Sequence, residues 1–180
     1  TLLKSFLIIF IIFILNNPVN ASKANDSYEG NIFPLYAGNG AIVPPQTSLK
    51  ESMENNRISV LFFYLDDSGD SKKMAPIISG IDLIWKNNID IIALTTDELQ
   101  NKNFVAPNEE GYYWNGYIPQ TVILDENGKI KFDKNGLIDI DEVNKIISDL
   151  KGIDFENTFS LNSFNEYNSI ISKKDNLKND

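Results

Sequence analysis

Three carboxylates and two hydroxyls fall within six residues at Asp66-Asp67-Ser68-Gly69-Asp70-Ser71, the densest set of chemically able side chains in the sequence. Such a set could hold a hard cation through oxygen, pass protons between paired carboxylates, or present serine as a nucleophile. Each option needs something more. A serine attack needs a base, and the chain contains neither histidine nor cysteine, which excludes a Ser-His-Asp triad, a Cys-His pair and any thiolate ligand. A calcium loop needs alternating oxygen ligands, a central glycine and a terminal glutamate. Neither this stretch nor Asp125-Glu126-Asn127-Gly128 nor Asp133-Lys134-Asn135-Gly136 has that pattern. No metal and no cofactor is expected. Ser68 and Ser71 read as turn or cap residues, and Asp70 as a carboxylate favoured by the positive end of a helix dipole.

The elements that must position this turn are legible on both sides of it. Val60 to Leu65 is an unbroken apolar run rich in strand formers, the mark of a strand covered on both faces. A helix is predicted from about Ser71 to Trp85 or Lys86, with a kink at Pro76. Ile89 to Leu94 is the next strand, and a crossover of this length makes the two strands parallel. After an irregular stretch come Thr121 to Leu124 and, through the hairpin signal Asp125-Glu126-Asn127-Gly128, an antiparallel strand over Ile130 to Phe132. Ser48 and Glu51 form a capping box for a short helix ending near Asn55. Asp139 and Glu142 repeat the pattern before an apolar helical face of Ile140, Val143, Ile146, Ile147 and Leu150. The order β-α-β, connector, β-β-α predicts an α/β three-layer sandwich, a central mixed β-sheet with helices on both faces.

The remaining residues fall into tails. Lys4, the apolar run Phe6 to Leu15, Pro18 and the small residues before Ser22 make the three regions of a secretory signal over residues 1–21, with cleavage expected after Ala21. The alternative is a retained membrane anchor acting through residues 2–15, although this run is shorter than the ~20 residues a spanning helix needs. Residues 22–46 read as an irregular arm, neither strand nor helix, whose Ile32, Phe33, Leu35 and Tyr36 could dock on the domain at residues 47–150. Residues 151–180 form an extension, expected to be partly disordered, in which Phe164, Tyr167 and Ile171 could share one helical face. A formal charge of -9 argues against nucleic acid as a partner, because phosphate backbones are bound by clustered Lys and Arg.

Four pieces of the central domain resemble the thioredoxin superfamily in order and spacing. Leu61-Phe62-Phe63-Tyr64 leads to Asp67-Ser68-Gly69-Asp70-Ser71-Lys72, then Met74-Ala75-Pro76, and much later Tyr117-Ile118-Pro119-Gln120-Thr121. The resemblance implies a thioredoxin-like fold, with Ser68, Gly69, Asp70 and Ser71 standing at the family's Cys-X-X-Cys and with Pro119 cis. It also implies that the main chain of Ile118 faces the turn, so that Asp67, Tyr117, Ile118 and Pro119 outline a groove for an extended peptide. Redox chemistry is not expected, since helix-dipole help cannot ionise a serine as it ionises a thiol.

Tyr36-Ala37-Gly38-Asn39-Gly40, Val43-Pro44-Pro45, Phe63-Tyr64-Leu65-Asp66-Asp67-Ser68 and Gly111-Tyr112-Tyr113 further resemble a cyanobacterial group of thylakoid-associated thioredoxin-like proteins, described as accumulation factors for photosystem I. That likeness implies an exported protein in the thylakoid lumen or on the lumenal side of the thylakoid membrane, with the periplasm as the alternative. It implies a non-enzymatic assembly factor that binds a protein subunit of a thylakoid membrane complex, photosystem I foremost. The competing readings are a non-thiol enzyme or ligand-binding module using the Asp67–Ser71 turn, and a calcium-responsive module. Tyr112, Tyr113 and Trp114 are the expected aromatic contact patch, because rings with a polar edge are favoured at protein contacts.

Overall fold

A computed structural model describes residues 30–100, 102–104 and 106–153. Ser48 opens helix α1 (Leu49–Glu54) with the expected reciprocal box: its Oγ accepts from the Glu51 N–H at 3.3 Å, and Glu51 Oε2 accepts from the Ser48 N–H at 3.0 Å. Strand β1 (Ile58–Tyr64) is buried along its whole length. Helix α2 (Gly69–Trp85) continues through Pro76 as one element, with the proline exposed. Strand β2 (Ile89–Thr95) follows, then single 3-10 turns at Thr96–Glu98 and Glu110–Tyr113. Strands β3 (Gln120–Leu124) and β4 (Ile130–Asn135) and helix α3 (Ile140–Lys151) complete the domain.

The sheet runs β2-β1-β3-β4, with β1 parallel to β2 and antiparallel to β3, and β3 antiparallel to β4. Side-chain alternation along β1 sorts the core into two layers. Val60, Phe62 and Tyr64 pack with Met74, Ile78 and Ile81 of α2 and Val143 and Ile147 of α3. Leu61 and Phe63 point the other way, onto Leu49 of α1 and Tyr113. Buried polar groups lock the layers together: Trp85 Nε1 donates to Asn144 Oδ1 at 2.9 Å between α2 and α3, and the Ser52 and Ser59 hydroxyls meet at 2.7 Å between α1 and β1. This is the three-layer α/β arrangement that the thioredoxin resemblance implies.

Two expectations need correction. The arm is not wholly irregular: Phe33–Ala37 forms one π-helical turn, closed by Gly38 at φ +62°, where the missing Cβ makes the left-handed backbone accessible. Burial drives this, since Ile32 and Phe33 are fully enclosed and the Phe33 ring meets Phe62 and Tyr64 edge-on at 6.1 and 5.6 Å. The second box is half a box. Asp139 Oδ1 accepts from the Asp141 N–H at 3.0 Å, while Glu142 turns away to accept from Lys134 Nζ of β4 at 3.2 Å. A cross-element ion pair has taken the carboxylate that local spacing reserved for the cap. The leader, residues 22–29 of the arm, and the proposed Phe164, Tyr167 and Ile171 face lie outside the described residues.

Candidate functional site

The turn after β1 and the Ile-Pro step before β3 meet at one end of the sheet. Gln120 pairs with Phe63, which sets Pro119 opposite Tyr64, where β1 hands the chain to the turn. The Ile118-Pro119 peptide bond is cis, as the resemblance implies; Val43-Pro44, for which no cis bond was expected, is cis as well. Pro119 is buried and its carbonyl accepts from the Gly136 N–H at 2.7 Å, tying the step to the end of β4. Among the described residues the N–H and C=O of Ile118 form no hydrogen bond, although the side chain is half-buried.

Both serines of the turn are committed to structure. Ser68 caps α2: its backbone is extended and its Oγ accepts from the Ser71 N–H at 3.2 Å. Ser71 is fully buried, and its Oγ accepts from the Leu65 N–H at 3.3 Å, so this hydroxyl faces inward and not towards a ligand. Asp67 and Gly69 are exposed, and exposed Asp70 pairs with Lys73 at 2.8 Å. Asp66 Oδ1 accepts from the Ile32 N–H at 3.1 Å. Burial pushes the Asp66 carboxyl above its ordinary value, the Ile32 bond pulls it back, and the neighbouring Asp67 and Asp97 raise it further. Asp66 therefore adds to stability most fully below the unfolded value near 3.8, and loses that contribution as the pH rises through its higher folded value. Among the described residues no group of three or more carboxylates is placed to hold a metal ion.

The aromatic residues divide. Tyr117 is 67% exposed and Tyr112 49%. Half-buried Trp114 donates its indole N–H to the Tyr117 carbonyl at 3.1 Å, closing the 114–117 segment on itself. Tyr113 belongs to the core beneath them: its hydroxyl donates to the Pro107 carbonyl at 2.8 Å, and burial, with a smaller push from Tyr112, raises its pKa. Tyr112, Trp114 and Tyr117 are the members that offer surface.

One organising residue escaped the sequence reading. Gln120 is fully buried, and its side chain accepts from the Asn115 N–H at 2.9 Å while donating to the Tyr113 carbonyl at 3.0 Å and to Asp133 Oδ1 at 2.8 Å. One amide thus fastens the 113–117 segment to β3 and β4. The available signal was a long polar side chain heading an otherwise apolar strand, directly after the Ile-Pro step. Surface depressions of ≈ 300 and ≈ 380 Å³ lie along the outer edge of β2, where residues 41–48 cross it; neither is lined by residues 66–71 or 117–119.

No family model matches the chain. Over 130 residues it is 41% identical to a protein named thylakoid membrane protein slr1796 from Synechocystis sp., the match covering 72% of this chain and 65% of that one, a little under two thirds of the relative's length. Among solved structures, a mutant thioredoxin from Halobacterium salinarum aligns with a TM-score of 0.44 at 18% identity, over 58% of this chain and 84% of that chain. A yeast mitochondrial 1-Cys peroxiredoxin structure aligns with a TM-score of 0.43 at 20% identity, over 56% and 86% respectively. With no cysteine in the chain, dithiol-disulfide exchange has no reactant here.

Proposed function

We propose that this protein is a non-enzymatic assembly or accumulation factor of the thylakoid membrane, which grips an extended segment of a photosynthetic membrane-complex subunit in the groove beside Ile118. The observation that carries the reading is the pair of unengaged main-chain groups of Ile118, next to exposed Tyr117 and before the buried cis Pro119. An extended peptide bonds such groups as an added strand does, and no sulfur is involved. The capping role of the Ser68 hydroxyl and the inward commitment of the Ser71 hydroxyl leave the turn as a wall of the groove and not as a reacting centre. The 41% identity to a protein named for the thylakoid membrane supports the location, and the resemblance to the accumulation-factor group supports photosystem I as the complex served.

Titration of fluorescent peptides from the exposed loops of photosystem I subunits tests the reading. Binding should saturate with the wild-type chain and weaken on Tyr117→Ala. A deletion strain with normal photosystem I content, together with no saturable peptide binding, would defeat it.

A further inference from the structure

The two edges of the sheet are finished differently. Along β4, Lys131 and Lys134 are exposed and ion-paired, to Asp125 at 3.0 Å and to Glu142 at 3.2 Å, and the pairing register slips between Ile123 and Leu124. Exposed charges and an irregular register keep an edge strand from pairing with another chain. Strand β2, at the opposite edge, runs in unbroken register and has little charge. Ile89-Asp90-Ile91-Ile92-Ala93-Leu94-Thr95 contains no proline or glycine, and its one charge is neutralised by Arg57, whose Nε donates to both oxygens of Asp90 at 2.9 Å. A strand-forming segment of such low charge is the kind that pairs with a copy of itself.

Strand β1 satisfies only one side of β2. In a parallel pair alternate residues turn their N–H and C=O to the neighbouring strand, and the others turn them outward. Residues 41–48 cross this outer side, but among the described residues no main-chain hydrogen bond joins them to residues 89–95. The one side-chain bond to the β2 main chain there runs from Arg57 Nη2 to the Ile89 carbonyl at 2.9 Å. Pro44 and Pro45 have no N–H to offer a ladder. The crossing is fixed at its ends instead. Asn39 Nδ2 donates to Ser79 Oγ at 3.1 Å and Asp82 Oδ2 at 3.3 Å, and Ile42 is buried, while beyond the crossing the Leu49 N–H donates to Glu110 Oε1 at 2.7 Å. Between these anchors the strap is loosely seated. Pro44 and Gln46 are exposed, and the ≈ 300 and ≈ 380 Å³ depressions along the strand are both lined by Gln46 and Thr47.

We infer that residues 43–46 guard a self-complementary edge: once this strap is lifted, β2 pairs antiparallel with β2 of a second copy of this chain. A two-fold register centred on Ile92 uses all seven residues of the strand. It sets Asp90 opposite Leu94 of the partner subunit, so like charges do not meet. The two four-stranded sheets then continue as one. This edge is separate from the groove beside Ile118, and pairing through it does not depend on peptide binding there.

Sedimentation velocity combined with hydrogen-exchange mass spectrometry on the full-length protein tests this. Wild type should show no pairing through β2. An Asn39→Ala/Ile42→Ser variant, which loses the anchors at one end of the strap, should dimerise at least about tenfold more tightly than wild type. The amides of residues 89–95 should exchange several-fold more slowly in that dimer than in the monomer. Adding Ile91→Lys, which puts a charge on the pairing edge, should return the variant to monomer. As a safeguard against misfolding of the double variant, a second protein carries a thrombin site between Pro44 and Pro45 and is cut after folding; it should dimerise in the same way. A folded, strap-opened protein that stays monomeric at high concentration overturns the inference. A dimer in which residues 89–95 gain no protection, or one that survives Ile91→Lys, also overturns it, because the contact then lies elsewhere. So does a wild type already paired through β2, since the strap then guards nothing.

Discussion

Replacing Gln120 by leucine tests whether one buried amide sets the shape of the groove wall. Leucine matches the volume closely but removes one acceptor and two donated bonds. The Tyr113 carbonyl is left unpaired in a buried setting, at about 1–3 kcal/mol. The Asn115 N–H and the Asp133 carboxylate lie nearer the surface and can recover water, so each loses roughly 0.5–1.5 kcal/mol. Allowing for the amide desolvation that leucine avoids, the loss should be about 2–4 kcal/mol, a fall of roughly 1–2 M in the urea midpoint for a domain of this size. Equilibrium urea unfolding measures it. Near-ultraviolet circular dichroism reports on the loop separately, because Trp114 is held by the Tyr117 carbonyl within the fastened segment. Peptide affinity should also drop under conditions where the variant remains fully folded. A variant that unfolds within about 0.5 kcal/mol of wild type, the range of an ordinary surface change, with an unaltered aromatic spectrum would refute the assigned role.

Phe33→Ala should cost about 3–5 kcal/mol, as for a core aromatic, whereas Leu35→Ala on the exposed side of the same turn should stay within about 0.5 kcal/mol; paired thermal melts distinguish an arm built into the core from one merely resting on it. Asp125 should show its worth only above acid pH. Burial opposes its charge, but the Lys129 N–H, Lys131 and the Asn127 N–H outweigh that and hold its pKa below 3.8. Its contribution is then present above the unfolded value and fades as the pH falls through the lower folded one, so the stability gap between wild type and Asp125→Asn should close on acid titration. Gly128→Ala and Gly136→Ala should each cost about 1–2 kcal/mol by urea unfolding, because both backbones sit at positive φ, +75° and +82°. The Gly128 change adds a contact with the Met53 methyl, which can swing aside, so its penalty should exceed that of Gly136 only slightly.

The sequence by itself determined the period of each element and the chemistry the protein lacks. A continuous apolar run marked β1, the Ile- and Leu-rich stretch Ile89 to Leu94 marked β2, the Asp-Glu-Asn-Gly turn marked the β3–β4 hairpin, and the Ser48–Glu51 spacing marked α1, because these signals are local along the chain. The absence of cysteine and histidine needed no structure to interpret. What tertiary packing alone decided was which side chains were left for function. Ser71 was consumed by the Leu65 N–H, Tyr113 was drawn into the core, and Glu142 was taken from its cap by Lys134, each through a partner on a neighbouring element or loop six to eight residues away. Gln120 became the organiser of the groove because the 113–117 segment and Asp133 of β4 converge on it, and the arm became part of the core because Phe33 found Phe62 and Tyr64. Convergence of that kind is a property of three-dimensional packing, which pattern along the chain does not carry.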